Sequence, residues 1–159
     1  MSIWVENDLS DEWSKFYFLN QGAVQNEEEC PQSNNILNRC QNLMTDCLFG
    51  YQFFSILNPG SKIDPHTGPT NVRLRCHVSL QIPVANPKSL NMNVNGVKVT
   101  WKDDEVILFD DSFQHHVVYN SKGNSGVPRV VLLLDFWHPD LTEAERTCLQ
   151  TCFSPANIN

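Results

Sequence analysis

From Gly50 to Trp137 the apolar and polar positions of the chain repeat with a period of two, the spacing of strands with one buried face. The pattern predicts strands at 51–57, 72–82, 91–94, 97–101, 105–109, 114–119 and 129–137. Asn95-Gly96 separates two alternating runs, NMNV and VKVTW, and marks a two-residue hairpin turn. Val130 to Leu134 is continuously apolar, as expected of a strand covered on both faces. Seven or so short strands punctuated by Pro, Gly and Asn predict an all-β sandwich or jelly roll. Upstream, Ile36, Leu37, Cys40, Leu43 and Met44 recur at helical spacing, predicting a helix of about three turns behind a cap at Asn34 or Asn35. Trp13, Phe16, Tyr17 and Phe18 predict a short element packed on the core, and residues 1–12 a loose end. Thr142 with Glu145 forms a capping box ahead of a terminal helix near 143–152.

One stretch concentrates the chemistry: SILNPGSKIDPHTGPTNVRLRCH, residues 55–77. Pro65 and Pro69 restrict the backbone on either side of His66 and predict a rigid loop that presents its imidazole. On the strand that follows, Leu74, Cys76, Val78, Leu80 and Ile82 share one face; Arg73, Arg75, His77, Ser79 and Gln81 share the other. Two readings fit the polar face. It is a solvated outer surface, or it is the wall of a site holding a metal beside an anion.

Composition narrows the classes. The 159 residues fit one domain with a core of its own. A net charge of −7 argues against a partner such as nucleic acid or an anionic membrane, whose binders are basic. Cations are nevertheless concentrated at Arg73, Arg75 and Arg129, so a cationic pocket in an acidic chain predicts a small anionic ligand. No apolar run reaches the length of a membrane span and no targeting signal is visible. The six cysteines include no C-x-x-C pair, which argues against a zinc finger or a thioredoxin-like motif. A disulfide among Cys30, Cys40 and Cys47 stays open at this level.

His115 and His116 follow the run VILFDD. Phe113, His115 and Val117 fall on one strand face and Gln114 and His116 on the other, which makes His115 the better ligand and His116 a surface residue. His66 and His115 lie 49 residues apart, each at a strand edge, as two of three iron ligands do in a jelly-roll oxygenase. The usual pattern places a carboxylate two residues after the first histidine. Here that position is Gly68. The residues alone therefore leave a degenerate site, a two-histidine site completed by water, or a carboxylate from elsewhere such as Asp110 or Asp111.

HTGPTN, RLRCH, FDDSF-x-H and D-x-WHP-x-L occur together and in order. With them, residues from about Trp13 to Leu141, about four-fifths of the chain, resemble the catalytic domain of the aspartyl/asparaginyl β-hydroxylase family. The resemblance implies a mainly β double-stranded β-helix (jelly roll) with flanking helices, spanning 13–155. It implies a dioxygenase that uses Fe(II), 2-oxoglutarate and O2 and hydroxylates the β-carbon of Asp or Asn in a protein or peptide substrate, EGF-like domains among them. His66 and His115 match the iron-binding, catalytic histidines. Gly68 matches a glycine that the family also carries, with water taken to fill the coordination site. Arg75 and His77 match residues around the co-substrate, and Ser55 and Arg129 match residues that hold its distal carboxylate. An unpaired arginine inside a barrel is costly, so Arg75 and Arg129 are each expected to need an anion, and a dicarboxylate supplies two. Only Cys30 and Cys47 align with cysteines of the family. In its animal enzymes a membrane anchor and a helical-repeat region precede this domain, and the chain as given carries neither. The resemblance implies the endoplasmic reticulum or secretory-pathway membrane; a chain complete as given would instead be cytoplasmic. The alternatives are oxygenation of another substrate, such as a lipid acyl chain, and a non-catalytic binding domain that kept the fold.

Overall fold

A computed structural model describes residues 13–83, 89–120 and 126–157. In chain order its strands are β1 (Trp13–Asn20), β2 (Ala23–Val24), β3 (Gln52–Leu57), β4 (Lys62–His66), β5 (Arg73–Gln81), β6 (Leu90–Val94), β7 (Val97–Val99), β8 (Val106–Phe109), β9 (His115–Tyr119) and β10 (Arg129–Trp137). Helix α1 (Pro31–Leu37) lies between β2 and β3, and α2 (Glu143–Cys152) follows β10. The expected segment 1–12 lies outside the described residues.

The strands form two antiparallel sheets, one ordered β2-β1-β3-β10-β5-β8 and the other β4-β9-β6-β7. This is the double-stranded β-helix, and most of the strands predicted from alternation are there. Asn95 and Gly96 close the β6–β7 hairpin with φ of 48° and 84°, the positive pair such a turn requires. β10 lies between β3 and β5 with both faces covered, which explains its unbroken apolar run.

Between the sheets, Leu57, Leu90, Met92, Trp101, Val117, Tyr119 and Val131 pack into a core. On the outer face of the larger sheet, Phe16, Phe18, Cys76 and Leu134 pack against Leu37 of α1 and Leu43. The two faces of β5 are therefore both buried in part, but it is the polar one that turns inward. Arg73, His77 and Ser79 are buried, whereas Leu80 is half exposed. The reading of that face as a solvated outer surface is excluded.

Three local expectations need correction. The first helix is shorter and earlier than its apolar spacing predicts: Pro31 occupies its first turn behind Cys30, and Asn34 lies inside it, donating from its side chain to the carbonyls of Glu27 and Cys30. Leu43 and Met44 are core residues held by strand-type bonds instead, a bridge from Leu43 to Phe136 and a bond from Met44 N to Asp135 O. His66 ends a strand rather than sitting on a loop. β4 is an edge strand, so Pro65 costs it no ladder bond. Phe113, half exposed, precedes β9 rather than sharing its face.

The capping box of α2 is present, with Thr142 Oγ1 accepting from Glu145 N and Glu145 Oε2 accepting from Thr142 N. All six cysteines are free thiols, so none of Cys30, Cys40 and Cys47 is in a disulfide. Among the described residues no helix is long and apolar enough to cross a membrane.

Candidate active site

Ser55, His66, Arg75, His77, His115 and Arg129 all line one cavity of about 280 Å³ between the sheets. Strand register explains how they meet. His66 and His115 are direct partners across β4 and β9, and their ring centroids lie 4.2 Å apart. Each ring is fixed the same way. His66 Nδ1 lies 2.8 Å from the carbonyl of Asp64, and His115 Nδ1 lies 2.9 Å from that of Phe113. A carbonyl only accepts, so both Nδ1 atoms carry a proton, and in the neutral ring Nε2 is then the atom left with a lone pair. That is the arrangement of a histidine prepared to ligate a metal. Burial lowers the His115 pKa, as do the neighbouring His66 and Arg75; the Phe113 carbonyl and Asp111 oppose them.

Opposite, the larger sheet lays its inward residues in rows. Trp13, Leu57 and Arg129 form one row; Lys15, Ser55, Val131 and Ser79 form the next. Tyr17, Phe53, Leu133 and His77 form the third. Arg75 pairs with Asp135 and Phe109 in the fourth. The rows place two electrostatically different ends in one cavity.

At one end stands Arg129, 1% exposed, with no carboxylate partner among the described residues. Its Nη2 donates to Ser55 Oγ at 2.8 Å, its Nε has no hydrogen-bond partner among the described residues, and its guanidinium lies 5.0 Å from the Trp101 ring centroid. Burial pushes its pKa down to about 9. Ser55 Oγ also accepts from Trp13 Nε1 at 2.9 Å. Both hydroxyl lone pairs are thus taken, and the Ser55 proton remains to be donated. His77 accepts at Nδ1 from Trp101 Nε1 at 3.3 Å. Burial first, then Arg129 and Arg75, hold His77 well below its ordinary pKa, so the ring is neutral and its Nε2 carries a hydrogen. The Arg129 guanidinium, the Ser55 hydroxyl and the His77 Nε2–H are donors that could together receive an anion.

At the other end the charges cancel internally. Arg73 Nε and Nη2 grip both oxygens of Asp111 at 3.1 and 2.6 Å, and its Nη1 lies 3.1 Å from Asp135 while also meeting the Phe49 carbonyl. Arg75 Nε and Nη2 grip Asp135 at 2.9 and 3.0 Å, and its Nη1 lies 3.4 Å from Asp111. Asp111 and Asp135 are both fully buried. Arg75 therefore needs no outside anion, contrary to the expectation from burial alone; that requirement belongs to Arg129. The acids that satisfy Arg75 lie 36 and 60 residues away in sequence, where pattern reading has no means of pairing them.

The same tetrad occupies one of the alternatives for a third ligand. Asp111 is held by both arginines, and Asp110 Oδ1 accepts from Ser112 N. Among the described residues no three His, Cys, Asp or Glu groups stand together to hold a metal. Gly68 has a packing reason: a Cβ there would lie 2.6 Å from Asp111 Cγ and 2.9 Å from Oδ1. His116 is not among the residues that line the cavity. The local pattern does not reveal Lys15, Tyr51 and Phe53 as cavity walls; Lys15 and Phe53 are placed there by the pairing of β3 with β1 and β10.

Fold and site together define a jelly-roll protein with a cavity between its sheets, lined by two histidines and a buried arginine among other residues. The chain belongs to the aspartyl/asparaginyl beta-hydroxylase family, a family of hydroxylases, whose model matches residues 2–139. It is 37% identical over 148 residues to human aspartate beta-hydroxylase domain-containing protein 2, covering 92% of this chain and 39% of that protein. It is also 37% identical over 141 residues to human aspartyl/asparaginyl beta-hydroxylase, covering 87% of this chain and 17% of that one. The chain thus spans about two fifths of the length of the first of these relatives, and less of the second. Among solved structures, DMSP lyase DddQ from Ruegeria pomeroyi superimposes with a TM-score of 0.51 over 89% of this chain and 57% of that chain, at 8% identity, a likeness of fold alone.

Proposed function

We propose that the chain is an Fe(II)- and 2-oxoglutarate-dependent dioxygenase domain that hydroxylates the β-carbon of an Asp or Asn residue in a protein substrate, with EGF-like modules as the candidate class by family likeness. The observation that carries the reading is Arg129, a buried cation without a carboxylate among the described residues, lining the same cavity as two histidines whose Nδ1 atoms are held by carbonyls. A buried charge of that kind is retained where a ligand completes it.

The residues present fit both groups. His66 and His115 would hold iron through Nε2, with the remaining positions left to solvent and co-substrate, a donor set suited to a divalent first-row metal. Arg129, the Ser55 hydroxyl and the His77 Nε2–H would receive carboxylate oxygens. Bound there, iron with 2-oxoglutarate and O2 supplies the oxidising power that turns a substrate C–H into C–OH, with release of succinate and CO2.

The protein contributes position and dryness. The Asp64 and Phe113 carbonyls lock the two ligand rings, which removes a rotational cost from metal binding. Trp13 and Trp101 hold Ser55 and His77 in the tautomer and rotamer that point donors at the anion. Phe109, packed edge-on to both His77 and His115, keeps water from the space between them.

The test is succinate release by the purified protein with iron(II) and 2-oxoglutarate, with and without a disulfide-bonded EGF-like peptide carrying Asp or Asn. A peptide-dependent rise with a gain of about 16 Da on the peptide, one oxygen atom, supports the proposal. His66→Ala and His115→Ala should each lose bound iron and succinate release together; a variant that keeps both would overturn the assignment.

A further inference from the structure

Helix α2 carries a pair of thiols that the cavity does not use. Cys148 and Cys152 stand four residues apart, so they lie one above the other on a single face, and Cys152 is the last residue of the helix. Both are exposed, whereas Leu149 packs inward against Met44, Cys47 and Trp137. Packing therefore does not account for the pair. The two side chains are hydrogen-bonded to each other, and that bond raises the Cys152 pKa. The proton accordingly stays on Cys152, which leaves Cys148 as the accepting sulfur and the better nucleophile.

The next residue ties the helix end to the wall of the cavity. Phe153 N donates to Leu149 O at 2.8 Å and closes the helix, and the Phe153 carbonyl accepts from Leu48 N at 2.8 Å. Its ring packs on Phe49 with centroids 4.9 Å apart. The Phe49 carbonyl in turn accepts from Arg73, which lines the cavity and grips Asp111. Each link from Cys152 to Arg73 is thus a neighbour in sequence or a direct contact.

We infer that Cys148 and Cys152 are a reversible oxidation site, closed to an intramolecular disulfide by hydrogen peroxide, and that closure loosens the end of α2 from Phe49. The Cys148 thiolate attacks one peroxide oxygen; the O–O bond breaks, hydroxide leaves, and Cys148 becomes a sulfenic acid. Cys152 then attacks the Cys148 sulfur and expels the oxygen, which leaves as water with the Cys152 proton. The two sulfurs have lost two electrons, and the peroxide has become two waters. Geometry sets the consequence. Residues four apart on a helix hold their Cβ atoms about 5–6 Å apart, whereas a disulfide needs about 3.5–4.5 Å. The adjustment falls on Cys152, because no helical residue follows to hold it, and Phe153 is drawn away from Leu48 and Phe49. A bridge that is both strained and exposed is easily reduced again, which suits a switch and not a structural bond.

The experiment treats the whole, fully reduced protein with a small excess of hydrogen peroxide. Intact mass, a non-reducing peptide map and the melting temperature are then read on the same sample. The expected result is a loss of about 2 Da, two hydrogen atoms, mapped to a bridge between Cys148 and Cys152. The melting temperature should fall by about 2–4 °C, and dithiothreitol should reverse both changes. Cys148→Ser should abolish both. Cys152→Ser should stop at a sulfenic acid on Cys148, trapped by dimedone, with the melting temperature unmoved. Phe153→Ala should lower the melting temperature of the reduced protein and remove most of the further fall on oxidation. A bridge that uses any other cysteine overturns the inference, as does oxidation of either thiol to a sulfinic acid without a bridge. A bridge between Cys148 and Cys152 that leaves the melting temperature in place also overturns it, because α2 would then close without releasing Phe49.

Discussion

Arg129 Nη2 donates to Ser55 Oγ at 2.8 Å, tying β10 to β3 at the end of the cavity away from the mutually paired arginines. A neutral hydroxyl orients the guanidinium without neutralising it. Replacing Arg129 with Leu removes an uncompensated buried charge, so the ligand-free protein should melt at the same temperature or higher. The same variant should lose the thermal protection given by 2-oxoglutarate or succinate. A variant that unfolds more readily yet still responds to either dicarboxylate would show that the anion binds elsewhere.

Dicarboxylate protection should also depend on pH. Burial holds the folded Arg129 near pKa 9, well below the guanidinium of the unfolded chain. Below pH 9 the ligand-free fold bears the full penalty of the charged group. Above about 9 the folded guanidinium gives up a proton that the unfolded chain keeps, so the penalty fades as pH rises. An anion relieves that penalty only where it exists. The shift in melting temperature produced by 2-oxoglutarate should therefore be largest near neutrality and shrink from pH 8 to pH 10. A flat profile over that range would separate protection from Arg129.

Local patterns carried most of the architecture into view. Alternation placed β5, β9 and β10; Asn95-Gly96 placed a hairpin; Thr142 and Glu145 placed the start of α2. His115 could be assigned inward because its own strand neighbours are apolar. What escaped is what tertiary contact decides. The polar face of β5 turns inward only because Asp111 and Asp135 wait there. Met44 reads as helical by spacing, but its backbone is bonded to Asp135 of β10. β4 is hidden by Pro65, which an edge strand tolerates and a propensity count does not.

The tetrad should behave as a unit. Asp111→Asn keeps the shape and removes one of two negative charges, leaving Arg73 and Arg75 to share Asp135. Breaking a buried pair from one side costs about 3–5 kcal/mol, so the midpoint of denaturant unfolding should fall sharply. Wild-type stability should show the same carboxylate through acid. Burial alone would raise the Asp111 pKa, but the hydrogen bond from Arg73 and the charge of Arg75 outweigh it and leave it below its ordinary 3.8. Its contribution is complete above that value and is lost as pH falls through the lower, folded one. Asp111→Asn should therefore flatten the acid limb of the stability curve; an unchanged limb would place the titration in another group.

Gly68 offers the sharpest steric test. Its amide donates to the Asp111 carbonyl at 2.6 Å, and the face where a side chain would emerge is filled by the Asp111 carboxylate. That carboxylate cannot retreat, because Arg73 grips both of its oxygens. Gly68→Ala should destabilise the fold by about 1–3 kcal/mol through overpacking alone. His66 lies two residues away, so the strain should also loosen its pairing with His115 and lower iron occupancy at limiting metal. Gly68→Asp would force a second carboxylate against the first; it should fold less well than Gly68→Ala rather than create a three-ligand site. Tighter iron binding by Gly68→Asp, measured against a competing chelator, would show that Asp111 can move aside, and would return the third-ligand position to the protein.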